Sequence, residues 1–129
     1  FAGEYFKGKG IEYNDFIKYE GEYLNGKRNG QGKEKDIMGQ ILFEGEYKNG
    51  KRWNVIEYDE KGNKIGELIK GKGFIKEYDE TRNLIYDGEY LNDERNGKGK
   101  EYNINGKVIF EGEYLNNKRW NGKGIDQNK

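Results

Sequence analysis

The chain has 129 residues, of which 37% are charged and 32% hydrophobic, and its 24 basic and 24 acidic side chains cancel. No apolar stretch approaches the roughly 18 residues of a membrane-spanning helix, and zero net charge removes the simple electrostatic argument for nucleic acid. Without cysteine or histidine, the chain has no disulfide framework and lacks the two usual zinc ligands, so we expect no metal and no cofactor.

Aromatic residues distinguish this chain from a disordered one. They make up 15% of the sequence, whereas disordered segments contain few of them. The 21 glycines, in the absence of any proline, fit tight turns between regular elements better than a flexible linker.

One phrase of aromatic residues around a Gly-Glu pair recurs along the chain. It reads FEGEY at 43–47 and again at 110–114, and YEGEY at 19–23. A second, glycine-spaced phrase such as GKG at 97–99 follows it in every repeat except the third. This self-similarity predicts a repeat architecture. The glycines of the first phrase define six repeats: Gly3, Gly21, Gly45, Gly66, Gly88 and Gly112.

The six repeats form a three-repeat block that occurs twice. Repeats one and four share a short link between their two phrases, and repeats three and six share the ending KRWN. We therefore expect a single array over 1–129, made of blocks 1–65 and 66–129. Since neither end resembles the polar cap of a terminal repeat, we also expect a fragment of a longer array that pairs through its N-terminal strand.

Within a repeat, the local pattern is that of a β-strand. Phe43, Gly45 and Tyr47 alternate with glutamates, which is the period of two that a half-buried strand shows, and no segment sustains a helical period. We predict an all-β chain: about twelve short strands in an elongated, single-layer, twisted antiparallel meander of about six hairpins. Tight turns are expected at the Asn-Gly dipeptides 25–26, 49–50 and 105–106.

The alternation also assigns the two faces of the sheet. The aromatic face carries rings from one strand and bare glycine from the next, so that a ring can lie across a neighbouring backbone. At Gly45 and Gly112 a Cβ would intrude on those rings. The charged face carries glutamate opposite lysine, with Glu89 expected near Lys98 or Lys100, as cross-strand pairs.

The phrase at 19–23, followed by Gly26-Lys27 and then by the glycines at 30 and 32, resembles the MORN repeat (membrane occupation and recognition nexus). The resemblance covers essentially the whole chain. Its departures are the shortened repeats one and four and an asparagine where the family usually has histidine, at Asn29, Asn96 and Asn121. The resemblance implies a twisted antiparallel sheet of hairpins, a scaffold or partner-docking role and frequent self-association.

Two kinds of site follow from these patterns. We interpret the rings mainly as the core of a thin sheet, but such a sheet cannot hide every ring, so we also expect part of an aromatic row to stay exposed to a protein partner. The residues of that row are Tyr23, Phe43, Tyr47, Trp53, Tyr90, Phe110, Tyr114 and Trp120. A basic rim at the turns is interpreted either as solvated turns that keep the sheet edges from aggregating or as the site of the alternative partner, an anionic phospholipid, phosphoinositide or phosphatidic acid. The residues of that rim are Lys27, Arg28, Lys51, Arg52, Arg95, Lys118 and Arg119.

The repetition of the sequence argues against a catalytic function. The pairs Glu44 with Glu46 and Glu111 with Glu113 could suggest an acid–base site, but such a pair recurs in nearly every repeat, whereas a catalytic pair is needed once. Phrases such as GKG at 97–99 lack the ending and the strand-to-helix setting of a phosphate loop. We therefore expect no enzyme, no small-molecule substrate and no nucleic-acid partner, and a cytoplasmic location associated with membrane or cytoskeleton.

Overall fold

A computed structural model describes residues 7–13 and 16–124 of the chain. All of the regular secondary structure in these residues is β-strand, as predicted. The strand expected around Gly3 lies outside them. The strands are β1 (Lys7–Tyr13), β2 (Ile17–Leu24), β3 (Lys27–Asp36), β4 (Ile41–Lys48), β5 (Lys51–Tyr58), β6 (Lys64–Ile69), β7 (Lys72–Tyr78), β8 (Leu84–Leu91), β9 (Glu94–Tyr102), β10 (Val108–Leu115) and β11 (Lys118–Gly124).

The chain divides into two compact units, an N-terminal unit of residues 1–71 and a C-terminal unit of residues 72–129. In the N-terminal unit, β1 to β6 follow one another in chain order, each antiparallel to the next. In the C-terminal unit, β7 to β11 do the same. The predicted antiparallel meander of hairpins is therefore confirmed within each unit.

Each even-numbered strand turns into the next odd-numbered one through two residues with positive φ. Asn25 and Gly26 have φ of 54° and 78°, and Asn49 and Gly50 have 52° and 85°. Positive φ at both central residues is the signature of a type I′ hairpin turn, which matches the twist of the strands that it joins. The tight turns predicted at these two dipeptides are confirmed. The same conformation occurs at Lys70-Gly71, Asn92-Asp93 and Asn116-Asn117.

A wider turn connects β3 to β4, β5 to β6, β7 to β8 and β9 to β10. After β3, the Asp36 carboxylate accepts hydrogen bonds from the backbone N–H groups of Met38 and Gln40, both at 2.9 Å. Asn103 makes the same pair of contacts after β9. The dipeptide Asn105-Gly106 lies inside that wider turn, with positive φ only at its glycine. The two-residue hairpin turn predicted there was wrong, because the side chain at 103 organises a longer loop.

Rings on the aromatic face lie directly over glycines of the neighbouring strand. A Cβ added to Gly32 would come within 2.3 Å of the Tyr19 hydroxyl, and one added to Gly99 within 2.3 Å of the Tyr86 hydroxyl. These glycines are therefore needed for the rings to pack. At Gly45, by contrast, an added Cβ would meet the backbone of β5 at 2.1 Å. The obstacle there is the next strand and not, as predicted, a ring, and the same holds at Gly112, where the carbonyl of Asn121 is 2.3 Å away.

The core of each unit is a row of rings and branched side chains on the aromatic face. Neighbouring rings meet edge to face, with centroids 5.0 Å apart for Tyr19 and Tyr47 and 5.1 Å apart for Tyr86 and Tyr114. This geometry adds to the burial of area. The buried residues of this row are Tyr19, Phe43, Tyr47, Val55 and Leu68 in the N-terminal unit, and Ile75, Tyr86, Tyr90, Phe110 and Tyr114 in the C-terminal unit.

Candidate functional site

Most of the aromatic row predicted to contact a partner is buried. The burial follows from the packing of the sheet and fits the core role that the sequence indicated for most of the rings, and it leaves these side chains little free surface for a partner. The residues concerned are Phe43, Tyr47, Tyr90, Phe110 and Tyr114, none more than 7% exposed. Tyr23 and Trp53 are half-buried, and Trp120 is 68% exposed.

The predicted basic rim is divided between the two faces. Adjacent residues of a strand point to opposite faces, so the lysine and the arginine of each Lys-Arg pair separate. The lysines Lys27, Lys51 and Lys118 are exposed at the turns. The arginines stack on rings of the aromatic face: Arg28 on Tyr19, Arg52 on Phe43, Arg95 on Tyr86 and Arg119 on Phe110, with distances of 3.9 to 4.7 Å from the guanidinium carbon to the ring centroid.

Carboxylates alternate with these arginines in the N-terminal unit. The Nε atom of Arg28 donates to Glu12 at 3.0 Å, and its Nη1 atom lies 3.7 Å from Glu34. Arg52 donates to both oxygens of Glu34, at 2.7 and 2.9 Å. The Tyr47 hydroxyl donates to the same carboxylate at 2.7 Å. Glu12, Arg28, Glu34 and Arg52 thus form a continuous charge chain across the aromatic face.

The C-terminal unit contains an equivalent charge chain. Arg95 donates to Glu77 at 2.7 Å and lies 3.5 Å from Glu101. Arg119 and the Tyr114 hydroxyl both donate to Glu101. Each of the four arginines predicted for a basic rim therefore has a carboxylate partner within its own unit. The anion-binding rim stays a prediction, and these arginines contribute less free charge to it because each is already paired.

Burial and neighbouring charge have opposite effects on the pKa of Glu34, whose side chain is 3% exposed. Burial by itself raises the pKa of its carboxyl group. The positive charge and hydrogen bonds of Arg52, with the hydroxyl of Tyr47, lower that pKa by more, so that the folded-state value lies below the ordinary one. Burial and the neighbouring carboxylate raise the pKa of Tyr47. Glu34 is therefore held ionised, and we assign the cluster a structural role.

The opposite face carries the glutamate–lysine pairs that the alternation predicted. Lys33 lies 3.3 Å from Glu44, Lys35 donates to Glu20 at 2.9 Å, and Lys76 lies 3.7 Å from Asp87. Glu89 is an exception to the prediction. It accepts a hydrogen bond from the backbone N–H of Lys98 at 2.6 Å, because the strand bulges there at Gly97, whose φ is +101°.

An open groove runs across the strands on this charged face in each unit. In the N-terminal unit it has a volume of about 860 Å³ and a floor formed by the backbone of Gly10, Gly21 and Gly32. Its walls carry Lys9, Ile11, Glu20, Glu22, Gln31, Lys33 and Glu44. The groove of the C-terminal unit is smaller, about 450 Å³, with a floor of four glycines. Its walls carry Phe74, Asp87, Lys98, Lys100, Glu111, Glu113 and Asn121.

Both grooves combine charges of the two signs with one exposed apolar side chain. Carboxylates outnumber ammonium groups by three to two in each. Ile11 is 56% exposed and Phe74 is 59% exposed, although both belong to strands. Among the described residues, no cluster of three or more acidic side chains has the geometry to hold a metal ion. In the same part of the chain, no helix could cross a membrane.

Comparison with known proteins agrees with this architecture. A series of antiparallel hairpins in the described residues, with rings of β2 and β8 laid over glycines of the following strand, defines a hairpin-repeat protein. The sequence model of the MORN repeat matches residues 19–40, 43–54 and 86–108. The chain is therefore a protein of the MORN repeat family, a repeat type that is generally non-catalytic. The search of curated proteins returns no match.

Sequence reasoning missed the acidic half of the charge chains, although a signal for it was present. Glu34 follows Gly32 by two residues, and Glu101 follows Gly99 by two. The period of two places each glutamate on the aromatic face, beside the glycine. What the sequence did not reveal was that an arginine two strands away would reach the same carboxylate.

Proposed function

We propose that this chain is a non-enzymatic scaffold, a protein-interaction module in which the charged face of each unit docks a partner. The observation that carries the proposal is the pair of open grooves, each with an exposed apolar side chain among charges of both signs. Exposed apolar surface rimmed by polar groups is typical of protein-binding sites. Mixed charge fits a protein segment, which can present both signs, better than a uniformly anionic surface.

Binding of an anionic phospholipid is the second candidate, and it rests on Lys27, Lys51 and Lys118. With the four arginines paired, these three exposed lysines are what is left of the predicted rim. At about 1 kcal/mol for each lysine near an anionic surface, they would supply roughly 3 kcal/mol at best. That is a weak attraction for a membrane, and it favours the protein-binding proposal.

The experiment is a selection from a random peptide display library on the immobilised chain, repeated on the double variant Ile11→Glu/Phe74→Glu. We expect enriched peptides on the wild type and their loss on the double variant. Ile104→Glu is the matched control, because Ile104 is 79% exposed but lies in a turn outside both grooves.

Sedimentation with phosphatidylserine vesicles tests the alternative on the same preparations. If no peptide is enriched, and the chain binds vesicles in a manner that Lys27→Glu/Lys51→Glu/Lys118→Glu abolishes, the protein-docking proposal is wrong. Enrichment that survives the double variant would also contradict it, since the grooves would then not be the docking site.

A further inference from the structure

The three tight turns of the N-terminal unit carry lysines without an acidic partner. Lys27 and Lys51 directly follow the first two turns, Lys48 directly precedes the second, and Lys70 lies within the third. All four side chains are exposed. Among the residues that the structure describes, no carboxylate lies within ion-pair distance of these four, whereas other lysines of the unit approach glutamates to 2.9–3.3 Å. We name the four residues the lysine edge.

Hydrogen bonds hold these three turns side by side. The backbone N–H of Gly50 donates to the carbonyl of Arg28 at 2.8 Å, and that of Gly71 donates to the carbonyl of Trp53 at 2.7 Å. Successive turns are therefore about two strand spacings apart, or roughly 9.6 Å, and the lysine edge extends over about 19 Å. An extended chain rises about 3.3 Å per residue, so a segment of about six or seven residues would span the edge.

Lys48 gives this edge a charge that the fold does not require. It lies directly opposite Lys51 in the strand register, and like charges directly opposite each other destabilise a sheet. The position before each of the other tight turns is aliphatic instead. A bound anion would relieve the repulsion between the two ammonium groups. The aliphatic residues at the equivalent position are Leu24, Ile69, Leu91 and Leu115.

The positive charge of the lysine edge remains when its neighbours are counted. On the aromatic face, the two arginines of the N-terminal charge chain are balanced by its two glutamates. On the charged face, the next row across the strands adds one lysine and two glutamates, which gives a net charge of +3. The equivalent positions of the C-terminal unit have a net charge of −1. The counted residues are Lys9, Glu22, Lys27, Glu46, Lys48, Lys51 and Lys70 in the N-terminal unit, and Lys72, Glu89, Asp93, Glu94, Lys98, Glu113 and Lys118 in the C-terminal unit.

The shape of the unit favours a protein segment over a membrane at this edge. Attachment to a bilayer surface gains strength from apolar side chains that enter it beside the charged ones. The most exposed apolar side chains of the unit include Ile37 and Met38, 79% and 82% exposed. They lie in a wide turn at the opposite end of the strands, so they could not enter a bilayer that the lysines contact.

We propose that the lysine edge of the N-terminal unit binds an extended acidic protein segment, whose aspartate or glutamate side chains pair with the four lysines. None of the four lines a groove, so this contact is additional to docking on the charged face and does not depend on it. The C-terminal unit does not share the site, because the net charge at its equivalent positions is negative.

The test is fluorescence anisotropy with a labelled seven-residue peptide that contains three glutamates and no aromatic residue. We expect saturable binding to the wild-type chain, with an affinity that falls as salt is added. The same peptide with lysine in place of glutamate should not bind. The ammonium group of Lys48 lies 4.6 Å from the centroid of the Trp53 ring. Binding should therefore also change the emission of Trp53, measured in the Trp120→Phe variant.

Matched variants assign the binding to one unit. Lys51→Gln should weaken binding of the glutamate peptide by about twofold to fivefold, the range expected for an exposed ion pair. Lys118→Gln, at the same position of the repeated KRWN sequence, should leave it unchanged. Lys48→Leu introduces the residue that precedes most of the other tight turns, and it should weaken binding by a similar factor. The triple variant Lys27→Gln/Lys48→Gln/Lys51→Gln should abolish binding. Thermal melting followed by circular dichroism verifies that each variant is folded.

Several outcomes would overturn the inference. Equal effects of Lys51→Gln and Lys118→Gln would show that the lysine edge is not the binding site, and equal affinity for the glutamate and lysine peptides would show that charge does not select the partner. If the chain binds phosphatidylserine vesicles but not the glutamate peptide, and the triple variant abolishes that binding, the edge serves a membrane instead. Absence of both kinds of binding would overturn the inference as well.

Discussion

Replacing Glu34 with Gln removes the negative charge at the centre of the N-terminal charge chain and preserves the shape of the side chain. The carboxylate is 3% exposed and accepts hydrogen bonds from Arg52 and from the hydroxyl of Tyr47. Removing one partner of a buried ion pair costs about 3–5 kcal/mol, because the remaining charge stays in a poorly solvated place. Arg52 is 21% exposed and can recover some hydration, so we expect a loss near the lower end, about 3 kcal/mol.

Glu101→Gln is the matched control in the C-terminal unit. Glu101 has the same tyrosine and arginine partners, but its side chain is 18% exposed and that of Arg119 is 48% exposed. Solvent screens that pair, and the expected loss is about 1 kcal/mol. The two variants therefore differ chiefly in the solvation of the ion pair, and their difference of about 2 kcal/mol measures its effect.

The chain contains two tryptophans, one in each unit, which allows the units to be followed separately. In a Trp120→Phe background, Trp53 reports the urea unfolding of the N-terminal unit, and in a Trp53→Phe background Trp120 reports the C-terminal unit. Linear extrapolation gives the free energy of unfolding for each variant. Equal losses for Glu34→Gln and Glu101→Gln, or a loss below about 1 kcal/mol at Glu34, would refute the reasoning from burial.

Three further outcomes are expected. Gly32→Ala should lower the free energy of unfolding by about 1–3 kcal/mol through contact with a buried ring, whereas Gly8→Ala, which has open space around it, should change it little. The folded-state pKa of Glu34 lies below the ordinary value of 4.5. The ionised carboxylate therefore stabilises the fold fully above pH 4.5, and this stabilisation is lost as the pH falls through the folded-state pKa. Urea unfolding across that pH range should show the loss in the wild type, and Glu34→Gln should lack the part that comes from Glu34. The backbone N–H of Lys70 donates to the side-chain oxygen of Asn54 at 2.8 Å. Asn54→Ala removes this acceptor and should speed hydrogen exchange at the Lys70 amide without altering exchange in the C-terminal unit.

The asparagine at the family's histidine position has a structural role that the sequence did not predict. The side-chain oxygen of Asn29 accepts a hydrogen bond from the backbone of Asn49 in the next tight turn, at 3.1 Å, and Asn96 does the same for Asn116 at 3.4 Å. The oxygen thus reaches a backbone donor that is left unpaired by the turn itself. The departure from the family pattern therefore occurs at a position that joins successive hairpins within each unit.

Much of the fold could be predicted because its signals are local. The alternation through Phe43, Gly45 and Tyr47 indicated a strand with an aromatic face, and the dipeptide Asn25-Gly26 indicated a tight turn. Both depend on the conformations available to a few consecutive residues. The wider turn at Asn103 was missed because its hydrogen bonds run from one side chain to backbone groups two and four residues further along the chain.

The candidate site was predicted less well, because it depends on which strands lie beside one another. The sequence by itself determined the repeats, the strands, the two faces and the tight turns, since each follows from side-chain period and backbone preference within one hairpin. Only the tertiary structure decided that Arg52 of one hairpin neutralises Glu34 of the preceding one. It also decided that Phe43 and Tyr47 are buried and that the lysine edge is continuous across three turns. These relations join residues about 20 positions apart, and their physical basis is the lateral packing of strands, which no short stretch of sequence contains.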